Sequence, residues 1–340
     1  MALENILQTT VIGSYPLVEA EEHVLTNQDA AIDAQLNVGV KVISDGQPRF
    51  TMIDYVACPL ESFHRNLEGK WEITDDITDK THTDPVVHLW DDFKHVIGRC
   101  EWRTKVDGKT TEPAYMMAGP LTMAWSMAAI KNGIYGKNPK ETTRNPKLYL
   151  DIAKAEYALY KLIDPNFHAA SFHIDEPFFS QGIPFDAVKD AIEYLAEKIS
   201  SHGVPVTLHS CGNITGMARE NDKPVRLFEK LLELKYISVL SHGFTGTKEM
   251  PNREILSKYK VGDYKKKLGL GCASSSSTDI ESPESICEFI TEAVKLQGIE
   301  NLVLNPDCGL RELPVNVAYA KLENMCEARK LYLRETGMII

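Results

Sequence analysis

Short runs of β-forming residues recur along the chain, and most are followed by a stretch in which apolar residues return every three or four positions. The runs are Thr9 to Ile12, Val40 to Ser44, Ala114 to Met117, Ser171 to Ile174, Val204 to Leu208, Ile237 to Leu240, Lys267 to Leu270 and Leu302 to Leu304. Among the intervening helical stretches, Val188, Ile192, Leu195 and Ile199 share one face, as do Val315, Ala318, Leu322 and Met325. Ser282-Pro283 opens another helix with a hydroxyl N-cap and proline at the first helical position. Strand and helix in alternation imply a parallel sheet. Eight such units predict an α/β protein folded as a single closed (β/α)8 TIM barrel over residues 1–340. An open doubly wound sheet is the other arrangement the pattern permits. Residues 50 to 111 break the rhythm, being charged and carrying an Asp107-Gly108 hairpin signal, which predicts an insertion after strand two that covers the barrel mouth.

Composition narrows the class. The chain has 340 residues, 43% of them apolar, which is enough for one large core or two modest ones. The net charge of −11, with Lys and Arg scattered rather than striped, argues against a nucleic-acid or anionic-membrane partner. Met-Ala-Leu-Glu-Asn has no basic leader, and no apolar run approaches the roughly 20 residues of a membrane span, so the expected location is the cytoplasm. The seven cysteines, odd in number and unevenly spaced, do not form a disulfide framework and leave reduced thiols for a metal.

Each strand gives way to polar residues or glycine: Gly13-Ser14, Asp45-Gly46-Gln47, Gly119-Pro120, Asp175-Glu176-Pro177, His209 to Gly212, Ser241-His242-Gly243, Cys272 with a serine run, and Asp307-Cys308-Gly309. Singly, each is a turn or a cap. In phase, they converge on one barrel mouth, where such folds carry their chemistry. Within that set His209, Cys211 and Cys308 are zinc-type ligands, and three protein ligands are the pattern of a catalytic site. The long gap from Cys211 to Cys308 is unlike the paired short spacings of a structural zinc clip. No Walker A sequence and no Gly-x-Gly-x-x-Gly after a strand support nucleotide binding.

Several segments together resemble the catalytic C-terminal half of cobalamin-independent methionine synthases. They are Ile12-Gly-Ser14, Ser44-Asp-Gly-Gln-Pro-Arg49, Gly119-Pro-Leu-Thr with Trp125-Ser126, His173-Ile-Asp-Glu-Pro177, His209-Ser-Cys211, Asp279-Ile-Glu-Ser-Pro283 and Asn305-Pro-Asp-Cys-Gly309. The resemblance implies a zinc-dependent methyltransferase that turns homocysteine into methionine. It implies zinc on His209, Cys211 and Cys308, with Ile12, Gly13 and Ser14 contacting the amino acid and Asp175 taking its ammonium group. Glu176 has the plainer reading of a structural carboxylate tying down the neighbouring loop.

Three departures from the family pattern bear on chemistry. Gln47 stands where relatives have a glutamate near the homocysteine amine. Glu281 replaces a histidine that delivers a proton to the folate leaving group. No acid comes after strand six to serve as fourth zinc ligand, which leaves His242, Glu233 or a water. The N-terminal half that helps bind the folate tail in the two-barrel relatives is not in this chain. On those grounds the expected methyl donor is methylcobalamin or a methylated corrinoid protein as partner, with methyltetrahydrofolate the alternative. Coenzyme M or another small thiol is the competing acceptor, and a metal-dependent hydrolase is the competing class.

Overall fold

The computed structural model describes residues 6–20, 22–130, 133–181, 184–220 and 223–338. A parallel sheet of seven strands forms its centre. In chain order these are β1 (Val42–Ile43), β2 (Glu112–Ala118), β3 (Ser171–Asp175), β4 (Val206–Ser210), β5 (Val239–Gly243), β6 (Lys267–Gly271) and β7 (Leu302–Asn305), each hydrogen-bonded to the next. At the two edges, Thr9 bridges Leu304 and Thr10 bridges Val42, both in parallel. Thr10 N donates to Leu304 O at 2.8 Å and Val42 N donates to Thr9 O at 3.0 Å, so this short segment serves both edge strands. The expected strand from Thr9 to Ile12 is therefore reduced to bridging residues, because Gly13 turns the chain with φ 56°.

The α-helices of six residues or more are α1 (Val24–Val38), α2 (Thr83–Asp107), α3 (Pro120–Trp125), α4 (Pro146–Ile163), α5 (Phe185–Ser200), α6 (Leu227–Leu232), α7 (Pro283–Gln297) and α8 (Val315–Glu335) among the described residues. Val188, Ile192, Leu195 and Ile199 are all fully buried on α5, as their spacing requires. Ser282 caps α7 by accepting from Ser285 N at 3.2 Å, with Pro283 at the first helical position.

The segment from 50 to 111 differs from its expected form. Its second half is α2, whose Leu89, Phe93, Val96 and Cys100 are buried at helical spacing. Asp107-Gly108 ends this helix rather than turning a hairpin: Gly108 has φ 65° and its N–H returns to Thr104 O. Glycine at positive φ serves a helix C-terminus as well as a turn, so the dipeptide alone does not choose between them. The added structure lies before α2, where Phe63–Arg65 and Trp71–Ile73 pair antiparallel and the latter pairs with Ala129–Ile130. Among the described residues no helix is long and apolar enough to cross a membrane.

Candidate metal centre at the ends of β4 and β7

Strand parity decides which polar residues can meet. On β4, Thr207 and His209 alternate with Val206, Leu208 and Ser210, and His209 stands opposite Asp175 of β3 and Ser241 of β5. His209 is buried, and its Nδ1 lies 3.3 Å from Ser241 Oγ. Its Nε2 lies 3.1 Å from Cys211 Sγ, which in turn lies 2.8 Å from Cys308 Sγ beyond the end of β7. The ligand atoms of His209, Cys211 and Cys308 all fall within 4.8 Å of one another, and among the described residues they form the one such group.

A nitrogen and two sulfurs converging at that spacing fit a zinc-type cation by the chemistry of the donor set. The two thiols share one hydrogen bond and split: the bond to Cys308, with burial, holds the Cys211 thiol well above its usual range. The hydrogen bond from Cys211, with help from His209, holds the Cys308 thiol well below its usual range against the cost of burial. Burial depresses His209, but the hydrogen bond and charge of Cys308, together with Asp175, outweigh it and raise its pKa.

Asp175 ends β3 beside this cluster. It is 3% exposed, and its Oδ1 is buried without a hydrogen-bond partner. Burial pushes its carboxyl up to about 7, opposed by His209 and assisted by Cys308. Glu176, the next residue, faces away from the mouth. Its oxygens accept from Leu121 N at 3.0 Å, Thr122 N at 2.8 Å and Thr122 Oγ1 at 2.6 Å, holding the start of α3 as the structural reading expects.

The other nominated residues lie at the same end of the sheet. Ile12 is buried, and Gly13 and Ser14 pack against the loop carrying Cys308: Leu310 N donates to Ser14 O at 2.7 Å. A Cβ on Gly309 would come within 3.0 Å of Ser14 N, so glycine permits this approach. Gln47 is buried at φ 51°, and its Nε2 donates to Met116 O at 3.3 Å.

Both protein candidates for a fourth ligand fail on geometry. His242 alternates with Ser241 and so points to the helix side of β5. There its Nδ1 lies 3.2 Å from Ser210 O and its ring meets Phe228 edge-on. Burial drives it down to about 3. The period of two along a strand puts His242 on the same face as the core residue Leu240. Glu233 caps the end of α6 on the surface, held by Lys230 at 3.0 Å. Glu281 also serves the fold, accepting from Lys321 Nζ at 2.7 Å and Ser274 N at 2.8 Å.

Ser241 and Asp307 stand among the polar strand-end residues, but sequence reasoning gave them no role: Ser241 orients His209, and the Asp307 carboxylate gathers Phe244 N, Gly246 N and Thr245 Oγ1 and so fixes the loop after β5. Their partners are remote in sequence, so no local signal reveals those roles.

Comparison with known proteins adds an independent line. Residues 17–331 match the family described as "Cobalamin-independent synthase, Catalytic domain". The methionine synthase of Methanocaldococcus jannaschii is 29% identical over 349 aligned positions, covering 95% of this chain and 98% of that one. The 5-methyltetrahydropteroyltriglutamate–homocysteine methyltransferase of Buchnera aphidicola is 26% identical across 97% of this chain and 43% of its own length. In fold, the chain is similar to a B12-independent methionine synthase from a Shewanella species solved with selenomethionine, with a TM-score of 0.70 at 15% identity over 98% of this chain and all of that one. Methylcobalamin as cofactor and a corrinoid protein as partner, both expected from the sequence, do not stand, because the family matched is cobalamin-independent. The grounds for that expectation were a missing half and Glu281, and neither supplies a cobalamin site. With a match across nearly its whole length, the chain belongs to the family of cobalamin-independent synthase catalytic domains, the methionine synthases, and is an S-methyltransferase.

Proposed function

We propose that the chain methylates the thiol of homocysteine to give methionine, with zinc bound by His209, Cys211 and Cys308 and a 5-methyltetrahydropteroyl compound as donor. The observation that carries the zinc assignment is the convergence of one imidazole and two thiols within 4.8 Å at the barrel mouth. When bound there, zinc supplies a Lewis acid that makes the substrate sulfur a thiolate at neutral pH. Asp175, buried and short of a partner, receives the ammonium group of the amino acid through a charge-assisted hydrogen bond. The backbone of Ile12, Gly13 and Ser14, packed on the Cys308 loop, borders the rest of the substrate, and Gln47 contributes an uncharged polar group. Ser241 holds the imidazole of His209 in orientation from its other nitrogen. Two thiols among the ligands disfavour the hydrolase reading, since thiolates temper the acidity of zinc relative to imidazoles.

The donor class rests on the printed activity of the Buchnera relative, of which this chain spans less than half. The same reading takes the Thr9–Thr10 segment as the eighth strand of a (β/α)8 barrel, counts residues 1–340 as one catalytic domain, and treats residues 50–82 as the addition beside its mouth. The test is methionine formation by the zinc-loaded protein from homocysteine and 5-methyltetrahydropteroyl glutamates, with methylcobalamin in a parallel reaction. Methionine from the pteridine donor alone is expected. Turnover restricted to methylcobalamin would defeat the donor assignment, and equal reaction of simple thiols that lack an amine would defeat homocysteine as acceptor.

A further inference from the structure

The face of the sheet that carries His209 is hollow toward the strands' starting ends. Thr10, Ser171, Thr207, Val239 and Val303 stand there, and all are small. An α/β barrel ordinarily fills this space with layers of bulky branched side chains. Here a cavity of about 270 Å³ is left. Its rim includes Glu112, which opens β2, and Lys267, which opens β6, so it lies at the end of the sheet away from Cys211 and Cys308.

The floor of this well is polar and incomplete. His173 and Asn305 line it at 1% and 0% exposure, and His173 Nδ1 and Asn305 Oδ1 are buried with no hydrogen-bond partner. Unlike an orphan in a close-packed core, these atoms border a space with room for a partner. A Cβ on Gly269 would lie 2.7 Å from Asn305 Oδ1 and 2.8 Å from Ser241 Cβ, so glycine lets those two stand side by side on the floor. Ser241 Oγ is in turn 3.3 Å from His209 Nδ1, and the well therefore ends against the back of the candidate metal centre.

The rim carries charge of both signs. Glu112 and Lys267 are half-buried, and their strands stand four places apart in the sheet. Among the described residues neither side chain has a hydrogen bond or an ion pair, to the other or to anything else. Lys265 adds a second, exposed cation at the same opening. An acid and a base that share one well without reaching each other offer partners to a molecule bearing both charges. Val42, Val239 and Val303 give its carbon atoms an apolar wall.

We propose that this well binds a free α-amino acid with an amide or hydroxyl side chain. Lys267 holds its carboxylate, Glu112 its ammonium group, and its side chain supplies the donor that Asn305 Oδ1 lacks. The site is separate from the one that Asp175 borders and depends on neither the metal nor the methyl donor.

Isothermal titration calorimetry tests this with L-glutamine and L-serine as probes and with acetate and methylammonium as single-charge controls. The proteins are the unmodified chain, Lys267→Met, Lys267→Arg, Glu112→Gln and Asp175→Asn. One molecule of L-glutamine or L-serine per chain is expected to bind. Lys267→Met and Glu112→Gln should each weaken it by at least about tenfold, since each removes one charge-assisted bond. Lys267→Arg, which keeps the charge, and Asp175→Asn, which alters the other end of the sheet, should retain it, and neither control should compete. No saturable heat from either probe up to about 10 mM would overturn the proposal. So would binding that Lys267→Met and Glu112→Gln leave intact, or displacement by acetate or methylammonium alone. Binding lost in Asp175→Asn and kept in the rim variants would put the amino acid at the metal end and overturn it as well.

Discussion

The two faces of β3, β4 and β5 at their C-terminal ends carry similar residue types to opposite ends. On the inner face Asp175, His209 and Ser241 are neighbours across three strands, and the Asp175 carboxylate keeps an oxygen buried without a partner. On the outer face Glu176 is met by three donors from α3, and His242 is wedged between Ser210 O and Phe228. Burial raises both acids, Asp175 to about 7 and Glu176 to about 8. A shifted pKa therefore does not separate the acid with an unpaired oxygen from the one that anchors α3. Hydrogen-bond satisfaction separates these two acids but is not by itself the mark of a ligand site, since His242 Nε2 on the outer face and both oxygens of Glu156 on α4 are also buried without a partner.

The most disruptive test of this contrast is Cys308→Ser. Removing a thiol from the inner cluster should lower zinc affinity by more than about a hundredfold, beyond what loss of an outer-shell partner costs. Metal analysis checks this, and circular dichroism should remain that of the folded chain. Zinc retained in full would dismantle the assignment of the inner face.

Asp175→Asn comes next. Loss of a charge-assisted hydrogen bond should raise the KM for homocysteine by roughly 10- to 100-fold while zinc content stays constant. A loss of zinc with no change in KM would move Asp175 to the metal.

On the outer face, Glu176→Ala strands Leu121 N, Thr122 N and Thr122 Oγ1. Stability in urea should fall by about 2–3 kcal/mol, with zinc content unchanged. If the variant is as stable as the original chain, the anchoring of α3 must lie elsewhere.

The smallest effect concerns Glu156 on α4, fully buried with neither oxygen paired, whose carboxyl is raised well above the ordinary range by burial and then by the charge of Glu176. A folded-state pKa above the unfolded one means the native protein binds the extra proton. Its contribution is full below the unfolded carboxyl range and is lost as pH rises from there toward the folded value. Glu156→Gln should flatten the decline of stability as pH rises above the ordinary carboxyl range, read from urea unfolding at a series of pH values. Parallel pH curves for the two proteins would show that this carboxyl does not titrate on unfolding.

Much of the molecule is legible along the chain. The alternation of apolar runs and helical periods locates all seven strands of the central sheet, and α5, α7 and α8 lie where spacing and capping put them. His209, Cys211 and Cys308 stand out because soft ligands at strand ends are readable one segment at a time. The sequence by itself determined these features because each depends on local geometry: a period, a cap, a turn. What only the tertiary structure decided depends on partners far apart in the chain. The Asp107-Gly108 pair closes a helix, since the packing of Leu89 to Cys100 against the sheet outweighs a turn signal. His242 leaves the site because strand parity sends it outward, and Asp307, brought from the end of β7, fixes the loop after β5 through Phe244 N and Gly246 N. Whether a buried carboxylate is satisfied or left waiting for a ligand is likewise a fact about three-dimensional neighbours, which no single segment contains.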